Sequence, residues 1–459
     1  MPSLLVLILA AGKGTRMQSH YPKVLQPLGG RPMIFHLLDT VSTLPDAHAA
    51  LVYGFGGDIL QEMVNAHYDG LHWVEQREQL GTGHAVRQAV DLIAQSDITL
   101  IIPGDAPLVQ LDTMEALHRG AKRSGFALLT AITEQPQGYG RILRDDDDAM
   151  IGIVEEKDAD ARQKLITEIN TGLMAIDSQR LLDYLPRLDN HNAQQEFYLT
   201  DLVGLMAADG LPLDSVLTED FSETLGINNR VQLAEAESVL RYRQAQTLLE
   251  QGVTLIDPMR IDIQGRVSAG RDVVIEPNVI LIGNVEIGDR VFIEAGCRIE
   301  NSLIGNDVHI KSHCVIENAI LGDAVQVGPF ARLRPKTQLA AGAKIGNFVE
   351  TKAALIGKGS KVNHLSYVGD AILGDNVNIG AGTITCNYDG ANKFQTTIED
   401  NVFVGSNTAL VAPVTVKQGA TIGAGSVIGK TVEANQLGIA RARQVNLDNW
   451  QRPTKKDKK

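Results

Sequence analysis

Apolar residues follow two different rhythms along the chain, and the rhythm changes near residue 253. Up to about residue 229, runs that are apolar at nearly every position, LLVLILA (4–10), AALVYG (49–54) and ITLIIPG (98–104), alternate with amphipathic stretches such as PMIFHLLDTVSTL and GHAVRQAVDLIAQS. An unbroken apolar run predicts a central parallel strand covered on both faces. Strands alternating with helices predict an α/β arrangement whose ligands bind at the carboxyl ends of the strands. The acidic run Asp145–Asp148 lies between RILR and MIGIV and predicts a hairpin tip rather than a metal site. VQLAEAESVLRYRQAQTLLEQG (231–252) has no Gly or Pro before its last residue and predicts a long connecting helix.

Beyond residue 253 aliphatic residues recur every six positions: Ile287, Ile293, Ile299; after one shortened step Ile304, Ile310, Ile316; then Leu321, Val327, Leu333, Leu339, Ile345; and again Ile398, Val404, Leu410, Val416, Ile422, Ile428. Neither a helix nor an ordinary strand has a period of six. A three-sided β-helix does, with one aliphatic side chain per side stacking on the coil below, at about 18 residues a coil and roughly nine coils. A β-sandwich with regular turns would show period two within its strands. The stretch 380–397 breaks the repeat and is expected to be an inserted loop, which repeat proteins carry on a binding face.

These rhythms divide the 459 residues into domains at 1–229 and 253–459, joined by a helix over 230–252. A net charge of −13 excludes a general nucleic-acid binder, since no basic field is present to attract a polyanion. The one basic cluster, RPTKKDKK (452–459), is expected to be a solvated end. Three widely spaced cysteines, Cys297, Cys314 and Cys386, suggest neither a disulfide framework nor a zinc site and fit a reducing cytoplasm. SLLVLILAAG has no basic segment before it and reads as a buried first strand rather than a signal peptide. With no apolar run approaching the ~20 residues that span a bilayer, a soluble protein without membrane insertion is expected.

Candidate chemistry begins where the first strand ends. LAAGKGTRM (9–17) lacks the spacing of a P-loop, yet its glycines allow backbone N–H groups close to an anion, and Arg16 and Lys23 supply full positive charge there. A glycine-rich turn alone is as often only a loop. The ordered set LAAGKGTRMQSHYPKVL, EQLGTGHA (78–85), PGDAPL (103–108), GYGRI (138–142), GIVEEKDA (152–159), INTGLMAI (169–176), EFYLTD (196–201) and GINNR (226–230) is more specific. At these points the chain resembles the nucleotidyltransferases that activate sugar 1-phosphates, and over nearly its whole length it resembles the bacterial bifunctional family of N-acetylglucosamine-1-phosphate uridylyltransferases.

That resemblance implies a Rossmann-like nucleotidyltransferase domain, a linker helix and a left-handed parallel β-helix of hexapeptide repeats. It implies uridylyl transfer from UTP to N-acetylglucosamine 1-phosphate with release of pyrophosphate. Two anions must then be positioned and their repulsion neutralised. Arg16 and Lys23 would do this beside the backbone of Leu9, Ala10, Ala11 and Gly12, with Asp105 and Asn228 holding a magnesium ion. Gln76, Gly81 and Thr82 would bind the uridine side, and Gly140, Glu155, Asn170, Tyr198 and Thr200 the sugar side. Without the resemblance, Thr82 could simply cap a helix and Tyr198 could be core.

The β-helix could be no more than a trimerisation scaffold for a uridylyltransferase. Against this stand polar side chains in FARLRPKT (330–337), NFVETKAALIGKGSKVNHLSYVGDA (347–371) and NIGAGTITCNYDGANK (378–393), placed where a spacer needs none. These segments resemble the family's acetyltransferase half, in which acetyl-CoA acylates glucosamine 1-phosphate. An ammonium cannot attack a thioester until deprotonated, so a base titrating near neutrality is required. The resemblance makes His364 that base and Glu350 its orienting partner. It assigns Arg334, Lys352, Tyr367, Asn378, Asn387, Tyr388 and Lys393 to the acceptor, and Ala381, Ser406, Ala424 and Arg441 to acetyl-CoA, in a homotrimer.

Overall fold

In the computed structural model, which describes residues 4–455, the chain divides into two units, Met1–Leu240 and Arg241–Lys459. Residues 456–459, the last four of the basic tail, lie outside the described residues.

The first unit is built on a nine-stranded sheet. Its strands are β1 (Leu4–Leu9), β2 (Ala47–Tyr53), β3 (His72–Glu75), β4 (Ile98–Pro103), β5 (Phe126–Ile132), β6 (Arg141–Arg144), β7 (Met150–Val154), β8 (Glu168–Asp177) and β9 (Asp214–Leu217). They lie in the order β9-β5-β8-β4-β1-β2-β3, with β6 joining β8 to β7. β1 is parallel to β2 and β4, whereas β8 runs antiparallel between β4 and β5. The first strand is apolar throughout because both its faces are covered: Leu4, Val6 and Ile8 join one core cluster and Leu5 and Leu7 the other. In register, Leu9 lies beside both Val52 and Pro103, so the segments following β1, β2 and β4 leave the sheet at one edge. Asp145–Asp148 form the tip of the β6–β7 hairpin, where Asp145 Oδ1 accepts from the N–H groups of Asp147 and Ala149.

The amphipathic stretch 83–96 is not one helix but two, Thr82–Arg87 and Val90–Ile93. Two successive i→i−3 bonds, Gln88 N–H to Ala85 O and Ala89 N–H to Val86 O, tighten the junction, and Val86, Ala89 and Ile93 remain buried. Three further helices matter below: α1 (Leu111–Ser124), α2 (Asp201–Ala208) and α3 (Arg230–Glu250). The division between units falls within α3: Leu233 and Ala236 belong to the first unit's core, Ala245 and Leu248 to the second's.

The second unit is a parallel β-helix of short strands. Aliphatic residues stack coil upon coil in register, Ile275 on Ile293, Ile310, Val327 and Ile345 along one side and Ile299 on Ile316 and Leu333 along another. A second buried column lies two positions before each of these and holds smaller side chains such as Val291, Val308 and Val325, or Cys297, Cys314 and Ala331. Its mixed Val, Ala, Ser, Thr and Cys content hid it from the six-residue count. The two buried cysteines are fillers of this column. Where it turns polar the group is bonded, as Thr337 Oγ1 is at 3.0 Å to Thr351 Oγ1, which stands in register with Leu333 in the first column.

The inserted loop is shorter than the broken repeat implied. Ile384–Cys386 is a strand of the coil, paired to Tyr367 and to Ala409–Val411, and only 387–395 departs from it. Thr385 holds the inward place an aliphatic residue would take, accepting from Gly369 N–H at 2.8 Å and donating to Gly369 O at 3.0 Å.

Ile316 is fully buried between neighbours of equal size. Replacing it by alanine should cost about 2–5 kcal/mol, read as a lower denaturant midpoint for the second unit; a loss under ~1 kcal/mol would show that the column is not close-packed.

Candidate active sites

The edge where β1, β2 and β4 end opens into a cavity of 460 Å³. Twelve of the sequence-predicted residues line it: Leu9, Ala10, Ala11, Gly12, Lys23, Gln76, Gly81, Thr82, Asp105, Glu155, Asn170 and Thr200. Gly14 takes φ +57°, and a Cβ there would lie 2.7 Å from Lys23 Cβ, so the glycine lets Lys23 close over the turn. The Lys23 ammonium is ion-paired with Asp105 Oδ2 and donates to Asn228 Oδ1 at 3.0 Å. Two hard oxygens, one anionic and one neutral, therefore converge on a single cation, from loops far apart in sequence. That donor set suits magnesium, which takes one or two carboxylates and completes its shell with substrate oxygens and water. Among the described residues no group of three or more His, Cys, Asp and Glu could form a fuller protein cage.

On one wall of the cavity, Gln76 is buried and its Nε2 donates to Gly81 O at 3.2 Å. Gly81 has φ +109° and would drive a Cβ to 2.6 Å from Phe197 O. That close approach joins two loops: Phe197 N–H bonds Leu80 O, Gly83 N–H bonds Phe197 O, and Leu199 N–H donates to Thr82 Oγ1 at 3.1 Å. Thr82 thus faces the cavity and also ties its two walls. On another wall, burial raises the Glu155 carboxyl above its ordinary pKa, opposed by the hydrogen bond from Thr200 Oγ1 to Glu155 Oε1 at 3.0 Å. Asn170 N–H bonds Gly140 O at 2.9 Å, which sets GYGRI against this wall.

Four predicted residues stand outside the lining. Asn228 reaches the site through Lys23, and Gly140 supports Asn170. Arg16 is exposed in the turn Thr15–Met17. Tyr198 is buried, at 7% exposure. Sequence reasoning left parts of the lining unassigned, among them Gln79, Pro103, Met174 and Glu196; all four sit in motifs already singled out, where the signal was available.

In the second unit the predicted residues gather at one corner of the coil and the side that follows it. Asn347 and His364 pair in register, Gly382 N–H bonds His364 O, Asn407 N–H bonds Ala381 O, Gly425 N–H bonds Ser406 O, and Arg441 Nη1 donates to Ala424 O at 2.7 Å. His364 and the four residues assigned to acetyl-CoA therefore descend a single edge, and His364, Ser406, Ala424 and Arg441 are exposed on it. Beside this edge Lys352 is held below its ordinary pKa by neighbouring Lys393, with Arg334 adding to the effect. Three cations so close together make a place for an anion. Asn387 bonds Asp370, Tyr388 bridges to Lys393 across the inserted loop, and Tyr367 and Asn378 lie on adjoining strands.

The pairing of Glu350 with His364 is not what the chain forms. Glu350 Oε1 accepts from Arg334 Nη1 at 2.9 Å, and His364 Nδ1 meets Asn347 Oδ1 at 2.7 Å. Register is the reason: Asn347 lies directly across from His364, whereas Glu350 lies past the corner, across from Tyr367.

Residues 6–198 match the MobA-like NTP transferase domain family, residues 263–341 the GMPPB C-terminal domain, and residues 395–430 the bacterial transferase hexapeptide (six repeats) family. The chain is 56% identical to the Bifunctional protein GlmU of Dichelobacter nodosus (strain VCS1703A) over 455 residues, 99% of this chain and 98% of that protein. A solved Bacillus anthracis structure, provisionally assigned as a glucose-1-phosphate thymidylyltransferase and complexed with a sucrose, aligns at a TM-score of 0.42 and 20% identity over 52% of this chain and 95% of that one.

Asp201, at the start of α2 behind Thr200, is pushed up to about 6 by burial and then by Asp189, Glu155 and Asp158. Its ionisation is disfavoured in the folded chain, so its contribution to stability falls as pH rises from about 4 to about 6 and stays at the lower value above. Asp201→Asn should therefore raise Tm by an amount that grows across this window; thermal unfolding from pH 4 to 8 checks it, and a pH-independent difference would refute it.

Proposed function

Because the chain belongs to the bifunctional GlmU family, we propose that each unit carries one reaction of UDP-N-acetylglucosamine synthesis and that the residues gathered above perform them. The second unit moves acetyl from acetyl-CoA to the amine of glucosamine 1-phosphate. The first unit joins the resulting N-acetylglucosamine 1-phosphate to the uridylyl group of UTP and releases pyrophosphate. The convergence of Lys23, Asp105 and Asn228 beside a cavity of 460 Å³ carries the first assignment.

In the uridylyl transfer, a phosphate oxygen of the sugar attacks the α-phosphorus while pyrophosphate leaves in line. Asp105 and Asn228 are the residues that would hold magnesium, which when bound supplies charge neutralisation between phosphates. The Lys23 ammonium spreads positive charge over the same region, Arg16 reaches in from the exposed turn, and the backbone of Ala11 and Gly12 meets the phosphates at the end of β1. Gln76, Gly81 and Thr82 hold the uridine; Glu155, Asn170 and Thr200, backed by Gly140 and Tyr198, hold the sugar.

In the acetyl transfer, His364 takes the proton from the ammonium. With Nδ1–H donating to Asn347 Oδ1, the neutral ring presents Nε2 as the acceptor. Asn347 thus takes the orienting part first expected of Glu350, which instead positions Arg334. Arg334, Lys352 and Lys393 draw the sugar phosphate, with Tyr367, Asn378, Asn387 and Tyr388 around the acceptor; Ala381, Ser406, Ala424 and Arg441 form the track for acetyl-CoA. The reading extends to a homotrimer, supported by the hexapeptide match and by the exposed ridge of Phe330, Phe348 and Leu365 beside His364. It extends also to residence in the cytoplasm, supported by three free thiols.

Two assays separate the reactions. His364→Ala should lower thiol release from acetyl-CoA with glucosamine 1-phosphate by about 10²–10⁴-fold and leave pyrophosphate release from UTP intact. Asp105→Ala should do the reverse. A folded variant that silenced both activities would overturn the assignment of one reaction to each unit.

A further inference from the structure

We propose that Glu223, which lies outside the cavity lining, is a positioning residue that fixes Asn228 against Asp105 and so sets the span of the metal-holding pair. The inference rests on the reading of Asp105 and Asn228 as the metal-holding residues.

Glu223 is a carboxylate only 5% exposed. Burying such a group is costly unless it is hydrogen-bonded, so its partners show what its place in the fold does. Its Oε2 accepts from Gln110 N–H at 3.0 Å and from Thr113 Oγ1 at 2.7 Å. Gln110 is the cap residue of α1, and its own side chain makes no capping bond. Glu223 therefore caps α1 from a distant segment, where the helix's unpaired N–H groups and positive end favour an anion.

The two segments joined here are the ones that deliver the metal pair. Asp105 follows β4, and its loop runs through the buried residues Ala106, Leu108 and Val109 to Gln110. Glu223 sits in the turn Phe221–Thr224, and its loop runs through the fully buried Ile227 to Asn228. The loops also meet where Ile227 N–H donates to Asp105 O at 2.9 Å. A backbone bond taken by itself lets two loops pivot about it. The attachment through Glu223, at the far end of both loops, works against that pivoting and so helps hold Asn228 Oδ1 at its distance from Asp105 Oδ2. Tyr139 packs edge-on against Phe221, which ties the sugar-side GYGRI segment to the same turn.

The probe is Mn²⁺, titrated into the full-length chain without nucleotide and followed by the loss of its free-ion electron paramagnetic resonance signal. Removing a residue that orients metal ligands typically weakens affinity about 10–100-fold, and Glu223→Ala should fall in that range. Glu223→Gln keeps an acceptor oxygen at the same reach and should recover most of the affinity. Thr113→Val deletes one of the two attachments and should show a smaller loss, and it decides the matter if Glu223→Ala does not fold. In pyrophosphate release, the same variants should raise the half-saturating metal concentration in parallel while kcat at saturating metal stays close to that of the unaltered chain, with thiol release unchanged. Asp105→Ala and Asn228→Ala serve as references. If they leave Mn²⁺ binding unaltered, the metal assignment itself is wrong. If they weaken it while Glu223→Ala and Thr113→Val bind Mn²⁺ as the unaltered chain does, even with a lowered Tm, the positioning role of Glu223 is wrong.

Discussion

A carboxylate at the end of a buried parallel strand has to be matched by positive charge. Asp105 follows β4, is 18% exposed at its side chain, and is answered by Lys23, itself 13% exposed. Desolvation makes an uncompensated charge expensive at such a place, so the pair holds only because the glycine turn brings Lys23 across to it. The register of β1 with β2 and β4 puts that turn, the Gln76 loop and the Asp105 loop at one edge. Much of the first unit's architecture can be understood as the support for this ion pair. Two core clusters hold the strands level, and the loop carrying Asn228 is bonded back to the backbone of Asp105 itself.

The second unit meets a different constraint. A coil whose interior is only wide enough for stacked side chains must place an apolar or internally bonded group at every inward position. Everything that faces outward is then free to vary, and the candidate site residues fall there in lines rather than in a pocket. The corner that carries Asn347, His364, Ala381, Ser406 and Ala424 is such a line, one residue per coil. The inserted loop, where Tyr388 and Lys393 pair, brings Lys393 up beside Lys352 and Arg334. Membership of a bifunctional family agrees with the presence of two candidate sites on different kinds of scaffold, a sheet edge and a solenoid corner.

Residues in contact along the chain, or repeated along it, were legible from the sequence; residues that meet only through register were not. The six-residue period located the inward column because each coil repeats the same requirement, yet it passed over the second column, where Cys297 and Ala331 are equally buried but of differing kinds. Thr385 looked like part of a broken repeat because its hydroxyl substitutes for an aliphatic contact by bonding Gly369. Asn347 gave no signal as the partner of His364: which of several polar residues faces a given histidine depends on a one-residue choice at a coil corner. Glu223 gave none either, since no motif marks a carboxylate that caps a helix more than a hundred residues away in the chain.

By itself, then, the sequence determined the two architectures and the apolar inward positions, because periodicity is local and each position carries its own physical requirement, while most of the cavity-lining residues were implied by the family resemblance that the ordered motifs carry. The tertiary structure alone decided the pairings: Lys23 with Asp105 and Asn228, Arg334 rather than His364 with Glu350, Glu223 with the start of α1. A hydrogen bond or ion pair is a relation between two positions at about 3 Å, and only the folded backbone sets that distance.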